Sequence, residues 1–424
     1  MRYLPALLLI TAANATAQQF RTVSAGAAGH HVEPHLAGNP RDPNELVVAG
    51  MLVGDIDPAS WRLRAFWSGD GGEHWRQATL PFKDGSACSA DAWLAWGRGR
   101  NVYLTCLAAV SSGRGSDFSF RIWLHASTDA GRTWKPPIEL VTQPLGEWDH
   151  PVLSLAPARA DKSLDTLFVV GTRPRHDGNG FGVARYSESE SRFDTMRLYE
   201  PPEHRNDSFG SAVAIDPERV VFTYFAMVNE PPRPLFSVSV KDTTMHRTRV
   251  TDDEMPYGFP MLTRTTNATH AHLLATWLES DSRQNLSVVL GASADTGRTW
   301  SSTAVSEDAA IRFRARPNVI VDSRGSVAVT WFEANSIVPC GDIVLAVRGP
   351  GTGSFSEAAR VPTTQAACDP ALDSHLAAIV NRWRAGGGDY TGIHSPAAGI
   401  FDIVWSDVRP DGLQIRFLRT SVRR

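Results

Sequence analysis

The sequence predicts an all-β fold, a single β-propeller of seven four-stranded blades, and three observations support that prediction. Short apolar runs recur along the 424 residues at a period of about 57, somewhat above the usual propeller unit. An octamer with fixed Ser, Asp, Gly and Trp positions occurs three times. The 34 glycines, 27 prolines and 13 tryptophans are typical of many short strands joined by turns.

The octamer Ser-x-Asp-x-Gly-x-x-Trp predicts a hairpin turn, because a β-like run precedes each copy and another follows it. Its Asp can accept hydrogen bonds from the amides of the turn, its Gly permits a positive φ, and its Trp packs on the strands. We therefore assign the aspartates a structural role. The three copies are Ser68–Trp75 with Asp70, Ser127–Trp134 with Asp129, and Ser293–Trp300 with Asp295.

Each unit opens with a short apolar strand and continues with a more apolar one, as expected for strands buried on both faces. The opening strands are Pro34–Ala37, Ala92–Ala95, Pro151–Ser154, Ser211–Ala214, Pro260–Thr263, Pro317–Ile320 and Tyr390–Ile393. The second strands are Glu45–Ala49, Asn101–Thr105, Asp165–Val170, Arg219–Tyr224, His272–Trp277, Ser326–Trp331 and Ile400–Trp405.

The last unit contains three clear strands, and the isolated strand Phe20–Ser24 can supply the fourth beside Leu413–Leu418. Joining the two chain ends in one blade closes the ring and removes open sheet edges. A six-bladed ring with one unit as an insertion is the alternative. The long gap before the last unit contains Ala371–Ala385, for which we expect a small helix and a glycine-rich loop.

The first 17 residues predict an export signal, because a short apolar segment follows Arg2 and Ala15-Thr16-Ala17 fits a cleavage site. A buried N-terminal strand is the alternative. The propeller then occupies residues 18–424, and we expect a secreted or periplasmic monomer. A net charge of −3 gives no reason to expect nucleic acid, and no later apolar run is long enough to span a membrane.

Four cysteines allow two disulfides in three connectivities. Cys88 and Cys106 flank one predicted hairpin, and Cys340 and Cys368 flank the next-to-last unit, so we favour these two pairs. The sequence contains no cysteine or histidine cluster at metal-binding spacing, and we expect neither a metal nor another cofactor.

Polar residues directly precede the opening strand of every unit, and in a propeller these positions converge around the central axis. A shared site at one end of the axis is therefore predicted, with scattered surface loops as the alternative. The residues at these positions are His31, Glu33, Asp91, Asp149, His150, Asn206, Asp207, Tyr257, Arg314, Arg316, Asp389 and Tyr390.

The three octamers resemble the Asp-box of the sialidase-like β-propeller superfamily, and the resemblance covers nearly the whole chain after residue 17. The segments Glu33–Val48, Gly388–Ile393 and Val404–Arg409 also resemble bacterial secreted proteins of this kind. The resemblance implies a propeller and an exo-acting glycoside hydrolase. In such enzymes three arginines bind the sugar carboxylate, a tyrosine with a glutamate partner is the nucleophile, and an aspartate is the acid/base.

Carried onto this sequence, the resemblance implies catalytic and substrate-binding sets. The expected catalytic residues are Asp91, Asp149, Tyr257 and Tyr390. The expected substrate-binding residues are Arg314, Arg316, Asp207, His150 and Asp389. The sequence departs from the family at His31-Val-Glu33-Pro34, where the family carries Arg-x-Pro. A propeller that binds a glycan or a protein on its polar axial face without cleaving it is therefore the alternative function.

Overall fold

The structure is a computed structural model. It describes residues 20–27, 29–54, 60–111, 118–140, 148–157, 164–175, 178–194, 196–202, 208–226, 234–242, 244–251, 259–265, 272–280, 286–306, 313–334, 341–363, 374–383 and 387–422. Residues 1–17, Asn206, Asp207, Tyr257, Cys340 and Cys368 lie outside these ranges. The predictions made for them stay predictions.

Twenty-nine strands are described, and they form seven antiparallel sheets. In chain order the strands are β1 (Arg21–Thr22), β2 (His30–Asn39), β3 (Asp42–Val53), β4 (Arg62–Ser68), β5 (Arg76–Ala78), β6 (Cys88–Trp96), β7 (Val102–Ser111), β8 (Phe118–Ser127), β9 (Ile138–Glu139), β10 (Asp149–Leu155), β11 (Thr166–Arg175), β12 (Gly178–Ser187), β13 (Arg192–Phe193), β14 (Arg197–Tyr199), β15 (Ser208–Asp216), β16 (Arg219–Phe225), β17 (Leu235–Lys241), β18 (Thr244–Thr251), β19 (Met261–Arg264), β20 (Leu273–Ser280), β21 (Leu286–Ser293), β22 (Ser301–Ser306), β23 (Phe313–Val321), β24 (Val327–Ala334), β25 (Asp342–Arg348), β26 (Ser356–Pro362), β27 (Gly392–Ala397), β28 (Ile400–Arg409) and β29 (Gly412–Ser421).

The sheets are the seven blades of a propeller, and the predicted fold is confirmed. Blades one to seven consist of β2–β5, β6–β9, β10–β14, β15–β18, β19–β22, β23–β26, and β27–β29 with β1. In blade three the outer position is divided between β13 and β14, which both pair with β12. The six-bladed alternative is wrong, because every repeat that the sequence showed is a complete sheet.

The ring is closed where the sequence predicted it, because the N-terminal strand β1 pairs antiparallel with β29. The pairing continues past the short strand. The Val23 N–H donates to the Ile415 carbonyl at 2.8 Å, and Ser24 Oγ accepts from the Ile415 amide at 3.1 Å. Phe20 packs edge-on against Trp405 with ring centroids 6.2 Å apart. Both chain ends therefore contribute to one blade.

The three octamers adopt the same hydrogen-bonded turn. In the copy that contains Asp295, Ser293 Oγ donates to the carboxylate at 2.8 Å, and the Thr299 amide and hydroxyl donate to it at 2.8 and 2.7 Å. The Gly297 amide closes the turn by donating to Ser293 Oγ at 2.8 Å. Burial raises the pKa of Asp295, but these hydrogen bonds outweigh it and lower the pKa to about 2.

The octamer turns also pack against the preceding blade. The copy in blade two packs on blade one, where a Cβ at Gly131 would lie 2.5 Å from Val47 Cγ2 and the Arg132 guanidinium lies 4.6 Å from the Trp67 ring. The copy in blade five packs on blade four, where Trp300 Nε1 donates to Ser237 Oγ at 3.2 Å. The turns are therefore joints between blades as well as hairpin ends.

The expected helix before the last blade is α1 (Ser374–Arg382), which buries Leu376, Ile379 and Val380. The expected disulfide between Cys88 and Cys106 is present, with Cα atoms 5.7 Å apart. Among the described residues, no helix combines the length and the apolar character that a membrane span requires.

Candidate functional site

The inner strand of five blades contains a β-bulge at the equivalent position. At each bulge two residues of the inner strand face one residue of the second strand. In blade one, Val32 pairs with Met51 and His35 with Ala49, so Glu33 and Pro34 oppose Gly50 alone. The first bulge residues of the five blades are Glu33, Asp91, His150, Gly210 and Arg316. In blades five and seven, Phe259 and Tyr390 lie at the same offset before the paired strand.

These seven positions form the bulge ring, which we define as Glu33, Asp91, His150, Gly210, Phe259, Arg316 and Tyr390. Four of its members hold a left-handed backbone conformation, with φ of 53° at Glu33, 53° at Asp91, 48° at His150 and 55° at Arg316. Such conformations cost about 1–3 kcal/mol each in non-glycine residues and concentrate at functional sites. The repeated strain identifies the ring as the candidate site.

Two carboxyl groups of neighbouring blades meet at the ring. The His150 amide donates to Asp91 Oδ2 at 3.1 Å and to Asp149 Oδ1 at 3.0 Å. Burial raises the pKa of Asp91 well above its usual value, and the charge of Asp149, the charge of Glu33 and a hydrogen bond with Asp149 raise it further. The pair therefore holds a proton on Asp91 above the usual titration range of an aspartate. Asp149 is exposed, so solvent reaches the pair.

Tyr390 lies beside this pair and is only 2% exposed. Its hydroxyl has no hydrogen-bond partner among the described residues. Burial raises the pKa of Tyr390 well above its usual value, and the charges of Glu33 and Asp91 add to the shift. Because a buried hydroxyl normally finds a partner, this group is available to a ligand that enters the ring.

Aromatic rings form the wall behind the carboxyl pair. His150 stacks on Phe259 with centroids 4.8 Å apart and contacts Tyr390 at 5.6 Å, and Tyr390 contacts Trp93 at 5.6 Å. Gly210 lets blades four and five approach closely here, because a Cβ at this position would lie 1.8 Å from the Pro260 carbonyl oxygen. The His150 Nε2–H donates to the Gly210 carbonyl at 2.9 Å. Burial lowers the pKa of His150, so the ring stays neutral near pH 7.

Residues 387–389 pack against Glu33 and Arg316 on another side of the ring. The Asp389 amide donates to Glu33 Oε1 at 3.1 Å. A Cβ at Gly388 would lie 2.1 Å from Glu33 Cγ, and one at Gly387 would lie 1.1 Å from Arg316 Nη1. A side chain at either position would displace Glu33 or Arg316. Glu33 and Arg316, which are 4% and 5% exposed, are thereby held in place.

The structure brings together Asp91, Asp149, His150, Arg316, Asp389 and Tyr390 of the predicted set. It places Arg314 differently. That guanidinium group lies between blades five and six, where it hydrogen-bonds the Leu286 carbonyl, donates to Ser306 Oγ at 3.1 Å and pairs with Glu333 at 3.6 Å. Arg314 therefore joins two blades.

Sequence reasoning misses three residues of this site, Trp93, Gly210 and Phe259, and misplaces a fourth, His31. The sequence indicates Trp93 as part of a strand and Phe259 as part of a connection. Their position relative to the opening strand could have indicated that they belong to the site. Conversely, the sequence groups His31 with the axial residues, but its ring packs on Phe66 of β4 with centroids 5.9 Å apart. Its side chain therefore contacts the interior of blade one.

No protein-family model matches the chain, and no curated protein matches its sequence. Solved structures do match. The polysaccharide lyase Uly1 aligns with a TM-score of 0.53 and 10% identity over 94% of this chain and 91% of its own. An α-L-arabinanase from Penicillium chrysogenum, complexed with arabinobiose, aligns with a TM-score of 0.51 and 11% identity over 96% of this chain and 97% of its own.

The NanB sialidase from Streptococcus pneumoniae aligns with a TM-score of 0.47 and 10% identity over 89% of this chain and 84% of its own. At these identities the likeness to the lyase and the arabinanase shows the fold and nothing finer. It agrees with the blades described above: the chain is a seven-bladed β-propeller, the architecture that the sequence resemblance implied.

Proposed function

We propose that the protein is a glycoside hydrolase that acts on terminal sugars at the bulge ring. One observation carries the proposal: Asp91 and Asp149 share a hydrogen bond at the mouth of the axis, and the pKa of Asp91 is raised well above its usual value. A carboxylic acid that keeps its proton beside an ionised carboxylate is the arrangement that general acid catalysis of glycoside cleavage needs. The fold shared with the arabinanase is consistent with a carbohydrate substrate.

Two residues carry the bond-breaking steps in this proposal. Asp91 gives its proton to the glycosidic oxygen as the bond from that oxygen to the anomeric carbon breaks. The Tyr390 oxygen attacks the anomeric carbon, while its proton passes to the carboxylate of Glu33, whose charge acts on that hydroxyl. Water then attacks the anomeric carbon and the bond from that carbon to the Tyr390 oxygen breaks. The ionised Asp91 accepts the proton of the water, and Glu33 returns its proton to the Tyr390 oxygen.

The charge of the site favours an uncharged sugar over sialic acid. Besides the protonated Asp91, three carboxyl groups surround the mouth, from Glu33, Asp149 and Asp389, and their charges repel a sugar carboxylate. Arg316 lies among them, whereas Arg314 is engaged between blades. The three-arginine set that the resemblance implied for a sialic acid carboxylate is thus not assembled from the described residues. Sialosides belong in the test as the second substrate class.

The direct test measures release of a fluorescent group from a panel of aryl glycosides, with arabinosides and sialosides included. We expect Asp91→Asn to lower kcat by about 10²–10⁴-fold on the substrate that the wild type cleaves, because the proton donor is lost. Asp70→Asn removes a carboxylate of the blade-one turn and serves as the matched control with wild-type kcat.

Two outcomes would contradict this assignment. A wild-type kcat in Asp91→Asn would show that Asp91 is not the general acid. A wild type that is inert on the whole panel, yet retains a glycan through Arg316 and Asp149, would support the alternative function of a non-catalytic glycan-binding platform.

We also propose that the protein is exported to a secreted or periplasmic location. The disulfide between Cys88 and Cys106 is consistent with an oxidising compartment, and residues 1–17 carry the pattern of a signal peptide. N-terminal sequencing of the protein from the culture medium or periplasm should begin at Gln18. A chain that keeps Met1 would contradict the export proposal.

A further inference from the structure

Blade two contains three metal-ligating side chains that the proposed function does not use. Cys88 lies on β6, Cys106 on the adjacent β7 and His125 on β8, so they come from three consecutive strands of one sheet. The two sulfur atoms and a ring nitrogen of His125 all lie within 4.8 Å of one another. All three residues are buried, with exposed fractions of 3%, 0% and 0%.

The His125 ring is already arranged as a metal ligand. Its Nδ1–H donates to the Lys135 carbonyl at 3.2 Å, which fixes the tautomer and leaves a lone pair on Nε2. That Nε2 atom is buried and has no hydrogen-bond partner among the described residues. A histidine whose second ring nitrogen donates to a backbone carbonyl is the usual form of a metal-bound imidazole.

A cavity lies beside Cys88, at one end of this group. Its volume is about 190 Å³, and its wall includes Cys88, Phe82 and Arg62. Phe82 at this wall is 62% exposed, so the cavity lies close to the surface. Cys88 is the member of the group that lines this cavity, so a small reductant or a metal ion would approach the group from the Cys88 side.

We propose that the reduced form of this group binds one thiophilic divalent cation of the Zn²⁺ type, with Cys88, Cys106 and His125 as protein ligands. A dithiol reductant supplies two electrons and two protons, becomes a cyclic disulfide, and converts the Cys88–Cys106 bond into two thiols. The cation then displaces both thiol protons and binds two thiolates and the neutral imidazole. Water from the cavity fills the fourth position of the tetrahedron.

The distances fit this exchange. Zinc bound to sulfur and nitrogen at its usual bond lengths separates neighbouring ligand atoms by about 3.5–3.8 Å. Once the sulfur–sulfur bond opens, the two sulfur atoms must move apart to about 3.8 Å, and the His125 nitrogen, which lies within 4.8 Å of both, must approach by up to roughly one ångström. In the oxidised protein Cys88 and Cys106 form the disulfide. In the reduced protein the same two residues bind the cation together with His125.

The test uses the full chain with Cys340→Ser and Cys368→Ser, so that Cys88 and Cys106 are the remaining thiols. After reduction with a phosphine, Co²⁺ is titrated and the thiolate-to-cobalt absorption in the near ultraviolet is recorded. We expect one Co²⁺ per chain, displacement by Zn²⁺, and no absorption from the oxidised protein. His125→Gln should weaken Co²⁺ binding at least tenfold.

A matched control is His394→Gln, because His394 is a half-buried histidine of blade seven whose Nε2 is also buried and has no hydrogen-bond partner in the described part of the chain. It should bind Co²⁺ as the parent chain does. Circular dichroism must show the same propeller signal before and after reduction. Loss of that signal on reduction, absence of the cobalt band, or unchanged affinity in His125→Gln would each overturn the proposal.

Discussion

At the residue scale, the candidate site depends on a backbone conformation that most residues avoid. Glu33, Asp91, His150 and Arg316 all have positive φ at the first position of a bulge. In three of the four the next residue is proline, as in His150-Pro151. Proline fixes its own φ and restricts the residue before it. The bulges therefore aim polar side chains at the axis at a cost in folding free energy.

The first prediction concerns the pH dependence of activity. Asp91 must carry its proton to act as the acid, so activity is lost as the pH rises through its raised pKa. The charge of Asp149 contributes to that raised value. Asp149→Asn removes this charge, which lowers the pKa of Asp91 and should move the alkaline limb of kcat/KM to lower pH.

The control for this profile is Asp129→Asn, which removes a carboxylate from the turn of blade two and should leave both limbs in place. A profile measured with the best substrate of the panel is sufficient. An alkaline limb that stays at the wild-type pH in Asp149→Asn, or moves upward, would show that Asp91 is not the titrating acid.

At the element scale, the octamer turns carry two functions, because each closes a hairpin and packs on the preceding blade. The glycine is the contact point. Gly131 has a φ of 77°, and the space beside it is filled by Val47. Gly99 has a φ of 58°, but no atom lies within 4 Å of the position that a Cβ would take there, so its surroundings are open. A comparison of substitutions at the two glycines therefore separates the cost of backbone strain from the cost of a steric clash.

We expect Gly131→Ala to lower the free energy of unfolding by about 1–3 kcal/mol more than Gly99→Ala does. Both variants force alanine into a left-handed conformation, but the first also presses a methyl group onto Val47. Urea denaturation followed by tryptophan fluorescence measures both. Equal destabilisation by the two substitutions would show that the turn makes no packing joint between blades one and two.

The sequence predicted elements better than it predicted the direction of side chains. Arg314 and Arg316 lie two residues apart, and alternation along a strand would place both on one face. The bulge at Arg316-Pro317 breaks that alternation, so Arg316 joins the ring while Arg314 fills the joint between blades. A bulge depends on how two strands pair, and the sequence of one strand alone does not reveal that pairing.

The cysteine–histidine group shows the same limit. Cys88, Cys106 and His125 are 18 and 19 residues apart, and no spacing rule for metal sites includes them. The register of three consecutive strands brings them together. The repeat period, by contrast, predicted all seven blades, because each blade is built from a contiguous stretch of sequence except at the closure.

At the scale of the whole molecule, the ring of blades is closed by the pairing of the short N-terminal strand β1 with β29. Val23 is 2% exposed, and its amide donates to the Ile415 carbonyl. Val23→Pro removes this donor and leaves the carbonyl unsatisfied, which should cost about 1–3 kcal/mol beyond the effect of Val23→Ala. Thermal unfolding of the two variants gives the difference, and an equal melting temperature would contradict closure by this strand.

The central claim is that a sugar is bound and cleaved at the bulge ring, and a crystal structure of the Asp91→Asn variant tests it most directly. The variant is soaked with the glycoside that the wild type cleaves. The account predicts the glycosidic oxygen within hydrogen-bond distance of residue 91 and the anomeric carbon facing the Tyr390 hydroxyl. A sugar bound instead in the groove of blades two and three, beside Tyr103 and Tyr186, would contradict it.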